Sequence, residues 1–460
     1  MKNAMKETSS IAVQRQYPLL YWTTLAYIVG IPNFVHFDST GRIHHPVNFT
    51  SVAIVILGLL TGYLLIVMLL LDRRPIICRN IRVSTRLWIA LLVVFTIASF
   101  FQPMSRLTAP SKMDLPLSLF WLGQWSLTFI LCIALYSRVP STRAAEVVVE
   151  LIGRASFVQI AMVWVFLPIV PDQVYGLSDE DARAIARLGG QFIHPGRLGI
   201  VAGIAFFYSL IFFSRGPRRW AGCLMAFLTL VLTGSRIAQA GFLLAVFLYA
   251  IVFSGRPALR WAAICSVPLA ALMGLAMSNQ LINYAARGQS AETLASLDNR
   301  TMVWTAGMEA IKLRPMLGYG YGVGARNALR DHWRYAHWIP PHAHNEFVQA
   351  ALDGGVIAAA LAILLYVQVL WWGFRDANQG LHHVFLLLSV IQLEINGVSG
   401  GLMMAGFNIL GGLFILCYIG LAGGSSPPFK QFVTEAHRIR PSTQNNAVHW
   451  DVGWVAKSSR

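Results

Sequence analysis

Long apolar blocks recur along this chain, each of roughly 17 to 25 residues, the length a helix needs to cross about 30 Å of hydrocarbon. The blocks do not alternate residue by residue, as the strands of a membrane barrel do. Twelve spans are predicted, centred near residues 27, 61, 95, 126, 160, 206, 226, 245, 269, 360, 389 and 412. Pro32 and several polar groups weaken the first, and Glu150 and Arg154 weaken the fifth, so either can be tilted or re-entrant. The fold class that follows is all-α, a polytopic transmembrane helix bundle. Its expected organisation is spans one to nine over residues 1–277, a long polar loop region over 278–345 between spans nine and ten, spans ten to twelve over 346–424, and a polar cytoplasmic tail over 425–460.

The long loop has its own order. Ala291 to Lys312 reads as an amphipathic helix on the bundle rim, with Leu294, Leu297, Met302, Val303, Trp304, Met308 and Ile311 as its apolar set. Gly318, Gly320, Gly322 and Gly324 then alternate through a stretch too rich in glycine for a stable strand or helix. Two readings stay open: a loop whose backbone amides approach a phosphate, and a tight turn packed against the bundle. No Lys-Ser/Thr pair follows and no parallel-sheet context surrounds it, so it matches neither a P-loop nor a dinucleotide fingerprint.

Composition supports the membrane reading: 56% of the 460 residues are hydrophobic and 12% charged, and mean hydropathy is +0.57, well above a soluble globular chain. Arg73, Arg74, Arg79, Arg82 and Arg86 share one short loop, and Arg215, Arg218 and Arg219 another. The positive-inside rule places these loops, and with twelve spans both termini, in the cytoplasm. Much of the net charge of +16 then serves topological anchoring and attraction to membrane lipid headgroups. No basic run is interleaved with exposed aromatics in a soluble module, which argues against a nucleic-acid partner. Of the five cysteines, Cys78 falls in a cytoplasmic loop and Cys132, Cys223, Cys265 and Cys417 in apolar spans, so no disulfide framework is implied. No cleavable signal peptide is evident, the first apolar run being part of the bundle.

On this topology the unusual polar residues sort to the face opposite the cytoplasm. Arg197 ends His194-Pro195-Gly196-Arg197 before span six, Arg236 ends Thr233-Gly234-Ser235-Arg236 between spans seven and eight, and Arg300, His342 and His344 lie in the long loop. Any one arginine there can simply snorkel. Three guanidinium groups with two imidazoles on one face can also build an anion site with a base beside it. His342-Ala343-His344-Asn345 stands immediately before the apolar run that begins near Phe347. A zinc pair completed by Glu346 is one reading, but no outward cysteine or suitably spaced carboxylate accompanies it. A helix cap facing headgroups is another. A neutral histidine base, with an unperturbed pKa near 6.5, carries most weight, so neither a metal nor another cofactor is expected. Asn345 can orient a substrate or cap the following helix. Asp179 and Asp181, flanking Glu180, come closest to a metal-binding pair but read as a solvated helix start beside Arg183 and Arg187.

Thr233-Gly234-Ser235-Arg236 leading into an apolar helix, Arg300 with Trp304, Pro315 followed by Gly318 and Gly320, and His342-x-His344-Asn345 ahead of Gly354-Gly355 together resemble the O-antigen ligase and polymerase superfamily, over roughly residues 195–420. The resemblance implies a multi-pass enzyme of the bacterial cell inner membrane, its active site and long loop facing the periplasm. Such enzymes move a glycan from an undecaprenyl diphosphate carrier to an acceptor sugar, which in ligase members is the lipid A core oligosaccharide of lipopolysaccharide. It further implies His344 as the catalytic histidine and Arg236, Arg300 and Arg197 as the arginines at the donor diphosphate, with His342, Asn345, Gly318 and Gly320 accessory. Direct attack would invert the anomeric centre, with arginines standing where other sugar transferases use a divalent metal.

A polymerase or a protein O-oligosaccharyltransferase of the same superfamily shares the donor chemistry; the lack of a large soluble glycan-binding domain leans towards the ligase. A membrane transporter would place ionisable residues near mid-span, often in repeated halves, whereas here they gather at one face.

Overall fold

The computed structural model describes residues 18–30, 36–37, 43–44, 60–63, 81–102, 114–139, 141–176, 186–190, 193–276, 300–334, 340–399 and 408–422. Apolar blocks become helices because a segment in hydrocarbon must satisfy its own backbone polar groups. The helices are α1 Pro18–Gly30, α2 Ile81–Phe100, α3 Asp114–Arg138, α4 Ser141–Phe166, α5 Pro195–Phe212, α6 Pro217–Leu232 and α7 Arg236–Leu248, the last running on through a π turn at Tyr249–Phe253. After them come α8 Pro257–Ala276, α9 Arg300–Leu313, α10 Val323–His332, α11 Glu346–Asp376, α12 Leu381–Ser399 and α13 Ile409–Ala422. Proline opens α5, α6 and α8, where its missing N–H and fixed φ cost nothing. Two short antiparallel ladders, His36–Phe37 with Ile43–His44 and Tyr175–Gly176 with Arg187–Leu188, are the sheet found among the described residues.

Every expected span centre falls on helical residues, although around residue 61 only 60–63 are described. By length and composition, six helices among the described residues can cross a membrane, over Asp114–Arg138, Arg143–Phe166, Pro195–Phe212, Arg236–Phe253, Glu346–Gln379 and Leu381–Val398. Pro18–Val29, Thr85–Phe100 and Ile409–Ala422 are shorter apolar helices. Trp220, Leu224, Phe227, Val231 and Leu232 form one exposed stripe along α6, as expected where lipid tails are as apolar as the side chains they meet. The helix expected over Ala291 to Lys312 is described from Arg300 onward, residues 291–299 lying outside the described set. Its packed face is narrower than the apolar pattern suggested: Val303, Ala306, Gly307, Ala310 and Ile311 are buried, whereas Met308 is exposed. Small residues win that face because they let α9 approach α11, with the Gly307 position about a methyl's reach from Val348 and Leu352. Cys78, Asp179, Glu180, Asp181, the whole of the polar segment 278–299 and the tail 425–460 also lie outside the described residues.

α11 is the element on which the site hangs. It is interrupted at Gly354 (φ −142°, ψ 20°) and Gly355 (φ 76°, ψ −174°), so the helix breaks after Asp353 and restarts. The freed groups are met by the glycine-rich segment: the Tyr319 amide donates to the Leu352 carbonyl (2.7 Å), the Gly320 amide to the Asp353 carbonyl (3.0 Å), and the Val356 amide to the Pro315 carbonyl (2.7 Å). A side chain at Gly355 would collide with the Met316 carbonyl, and its positive φ favours glycine in any case. Of the two readings left open for this segment, it adopts the packed turn, and helix α10 begins at its last two residues, Val323 and Gly324.

Tyr321 fastens the segment to the bundle. Its amide donates to Ser99 Oγ (3.0 Å), its carbonyl accepts from Ser118 Oγ (2.8 Å), and its ring, fully buried, lies 5.1 Å from Phe95 and 6.0 Å from Trp125 in near-parallel stacking. The stack continues through Trp88 to Phe129 and Tyr418. Tyr321→Ala should therefore remove the largest single anchor of the loop and destabilise the fold by about 3 kcal/mol or more. Thermal unfolding in detergent would show a large drop in midpoint; a midpoint unchanged from wild type would refute this anchoring role.

Candidate functional site

The tetrad is held rigidly from four sides. Asn345 is the N-cap of α11, its Oδ1 accepting from the Phe347 and Val348 amides at 3.0 and 3.1 Å, and its Nδ2 donates to the Val398 carbonyl of α12 at 3.0 Å. The Ala343 amide donates to Gln349 Oε1 (2.8 Å), and the Ala343 carbonyl accepts from Trp304 Nε1 on α9 (3.0 Å). The His344 amide donates to His342 Nδ1 (3.1 Å), and the two rings lie 4.1 Å apart between centroids. That bond makes His342 Nδ1 an acceptor and leaves its Nε2 to carry the proton in the neutral ring. His344 itself sits at φ 49°, the only positive-φ residue other than glycine among those described. Such backbone strain persists only where the surroundings over-determine it, and it concentrates at working sites. Both histidines are half-buried.

The arginines come from helix starts at the same end of the bundle. α5 and α12 run antiparallel, since Phe212 stacks on His382 (5.0 Å), Tyr208 meets Phe385 (5.9 Å), and Gly203 abuts Gln392. Gln392 also lies against Gly241 of α7. At 1.5 Å per residue, the first residues of α5 and α7 and Val398 on α12 all lie about 8 to 12 Å beyond this shared level, in the same direction. The start of α5 touches the start of α7 directly, a Cβ at Gly199 being 2.8 Å from Ala238 Cβ and 2.9 Å from Thr233 Oγ1. Arg197, in the first turn of α5, and Arg236, the first residue of α7, thus share one end with the Val398 carbonyl that Asn345 grips. Arg197 stands inside the helix, not in the loop before it, because His194 is the cap, with Nδ1 accepting from the Gly196 amide at 3.2 Å. Arg300 opens α9 one turn ahead of Trp304, which places it on the helix face that bonds Ala343. All three arginines are half-buried.

Each residue of Thr233-Gly234-Ser235-Arg236 shapes that presentation. Thr233 Oγ1 donates to the Leu230 carbonyl (2.7 Å) and accepts from the Ser235 amide (3.4 Å), Gly234 turns the chain at φ 58°, and Ser235 Oγ caps α7 by accepting from the Ala238 amide (3.4 Å). Three helix N-termini, of α5, α7 and α11, therefore open at one end of the bundle and add partial positive charge to that of the arginines. Gly318 and Gly320 are buried in the backbone packing at the α11 break, where a Cβ on Gly318 would stand 2.5 Å from the Leu352 carbonyl oxygen. They support the site from behind. Among the described residues, no group of three or more His, Cys, Asp or Glu side chains stands together to hold a metal ion.

Sequence reasoning missed Gln349, Asp353 and Arg326. Gln349 and Asp353 are buried in the first half of α11 beneath the tetrad, and Arg326 of α10, 2% exposed, donates from Nη1 to the Pro341 carbonyl (3.4 Å) just ahead of His342. A signal for the first two existed: Glu346, Gln349 and Asp353 stand three and four apart, one stripe of polar residues on an otherwise apolar helix. None existed for Arg326, whose helix lies in a stretch that composition marks as loop.

Residues 221–363 match the Wzy_C family model, described as O-antigen ligase. The matched stretch contains Arg236, Arg300, Gly318, Gly320 and the whole tetrad, while Arg197 lies outside it. The match supports membership in the O-antigen ligase/polymerase superfamily, whose members are glycosyltransferase-like membrane enzymes. A comparison with curated proteins finds no match.

Asn345 supplies a cap to α11 and a tie to α12 together. Asn345→Ala should lower unfolding free energy by about 1 to 2 kcal/mol, and Asn345→Asp, which keeps the cap and loses the donor to Val398, by less. Chemical denaturation of the two variants in the same detergent checks the order; equal losses would mean that the cap is not the larger part.

Proposed function

We propose that this chain, as a member of the O-antigen ligase/polymerase superfamily, transfers O-antigen glycan from undecaprenyl diphosphate to the lipid A core oligosaccharide, at the periplasmic face of a bacterial inner membrane. The observation that carries the reading is the placement of His344 and its neighbours: a half-buried imidazole on a strained, fully braced backbone, at the same end of the bundle as the helix starts bearing Arg197 and Arg236, next to the Ala343 carbonyl that is bonded by Trp304, one helical turn after Arg300. That end also carries the N-termini of three helices, so it suits a ligand with concentrated negative charge.

In the proposed step an acceptor hydroxyl oxygen attacks the anomeric carbon of the donor sugar from the side opposite the diphosphate. His344 takes the hydroxyl proton, the bond between the anomeric carbon and the phosphate oxygen breaks, and the lipid diphosphate leaves with the bonding electrons. A single displacement of this kind inverts the anomeric centre. Arg236, Arg300 and Arg197 neutralise the charge developing on the diphosphate, in the part a divalent metal plays elsewhere, each contributing about 2 to 4 kcal/mol of transition-state stabilisation if it resembles a single oxyanion donor. Arginine suits this task because its planar fork matches phosphate oxygens two at a time.

Purified protein given lipid-linked glycan should glycosylate lipid A core, and not a second lipid-linked glycan or a pilin-like protein; transfer to either of the latter would reassign it to polymerase or protein O-oligosaccharyltransferase. His344→Ala and Arg236→Ala should abolish transfer with expression intact, and a variant that still transfers normally would remove its residue from the site. Transfer should survive excess chelator, and loss restored by magnesium or manganese would overturn the arginine assignment. A base must be unprotonated to act, so the rate should fall on acidification and recover as pH is raised. A flat profile from pH 5 to 8 would count against histidine as the base.

A further inference from the structure

One fully buried group beneath the tetrad has no part in the chemistry above. Asp353, the last residue before the α11 break, is 0% exposed. Its Oδ1 accepts two bonds, from the Gly322 amide at 2.8 Å and from Gln349 Nε2 at 3.0 Å. The other end of the same Gln349 amide accepts from the Ala343 amide at 2.8 Å, and the Ala343 carbonyl accepts from Trp304. Three hydrogen bonds thus run in sequence from the glycine segment to the peptide unit between the two histidines, and a fourth ties that residue to α9.

The direction of each bond follows from donor inventory. A backbone amide can only donate, so Gln349 must turn its oxygen towards Ala343 and its NH2 towards Asp353. The terminal torsion of glutamine is broad and close to two-fold, so without an obligate acceptor at the far end the amide would populate both orientations. In the wrong one its NH2 faces the Ala343 N–H, that bond is lost, and the brace on the next residue, the strained His344, goes with it. Asp353 Oδ1 is that acceptor: it already takes the Gly322 amide, so a single oxygen serves both the glycine segment and Gln349.

We propose that Asp353 is a positioning residue for His344, acting through Gln349 to fix the polarity of the Ala343 bond and so the backbone on which the base is mounted. The inference rests on the proposed role of His344 as base. Asp353 touches neither substrate nor imidazole in this scheme; it governs where the imidazole stands.

Reversing the polarity tests it. Gln349→Glu places a second acceptor against Asp353 Oδ1, so the two side chains move apart and the one at 349 is drawn off the Ala343 amide, which should lower kcat on the order of 100-fold while KM for the lipid-linked donor stays within about twofold, the pattern of a displaced catalytic group. Adding Asp353→Asn restores a donor opposite the introduced carboxylate, with the new carboxamide oxygen still available to the Gly322 amide, and should recover kcat to within about tenfold of wild type. Recovery in the double variant supports the proposal. A double variant no faster than the single, although both melt within a few degrees of wild type, overturns it, as does a loss carried by KM. Gln349→Met, of matching length and without polar atoms, gives a second route if the glutamate variant fails to fold: the same fall in kcat is expected, and wild-type kcat overturns the proposal.

The modification rate of His344 by diethyl pyrocarbonate, read by mass spectrometry on the full chain, provides a measure that needs no turnover. It should rise about tenfold in Gln349→Glu and return in the double variant, and three equal rates would refute positioning. An inert wild type with every acceptor would sink the glycosyltransfer reading alone, because the modification rates would still decide this one.

Discussion

Backbone groups that lipid cannot satisfy must be satisfied by protein, and the rest of this architecture depends on how that constraint is met at Gly354-Gly355. An interrupted helix in the apolar phase exposes carbonyls and amides worth several kcal/mol each if left bare. Here Pro315 to Gly320 lies against the break and takes up those of Leu352, Asp353 and Val356. The cost of interrupting α11 is thereby turned into a fixed seat for a surface segment. Glycine is needed on both sides of the contact, since a Cβ at Gly318 or Gly355 would strike the opposing backbone. Once the segment is seated, Tyr321 follows into the aromatic stack and α10 starts, and Arg326 of α10 ties down Pro341 just ahead of the tetrad.

The same logic explains how a residue at φ 49° is tolerated at His344. Its strain is of the order of 1 to 3 kcal/mol, and the bonds from Ala343, His342, Asn345 and Trp304 collectively exceed that. The outer partners of these bonds, Trp304, Gln349 and Val398, sit on α9, α11 and α12, helices that meet through close small-residue contacts. A site mounted on element ends in this way is held more accurately than one built on a loop.

Much of this was legible from the letters, and the division has a physical basis. Helices stand where apolar blocks were found because length and hydropathy dominate in hydrocarbon. Arg197, Arg236 and Asn345 could be placed at element ends because capping residues, Pro195 and Gly234 announce those ends. What was not legible depends on contacts between distant segments. The glycine run admitted two conformations until its partner at residues 352–356 was known, and α10 was invisible because tertiary packing, not propensity, makes it helical. Asp353 was passed over in the sequence, and only the bonds from Gly322 and Gln349 give it direction.

The position of the tetrad at the very start of α11 also bears on how two unlike substrates could meet there. In the proposed reaction the donor is anchored by a long hydrocarbon chain and must arrive along the bilayer, while the acceptor sugar is hydrophilic and must arrive from water. A site deeper in the bundle would desolvate the acceptor, and one on a free loop would lift the diphosphate away from its own lipid. Helix starts avoid both costs, because their unpaired amides and partial positive charge lie where apolar span gives way to polar chain. Arg197, Arg236 and Arg300 each stand in the first turn of a helix, and Asn345 caps α11, so in the proposed reaction the charge that would hold a diphosphate comes from element starts and not from mid-helix.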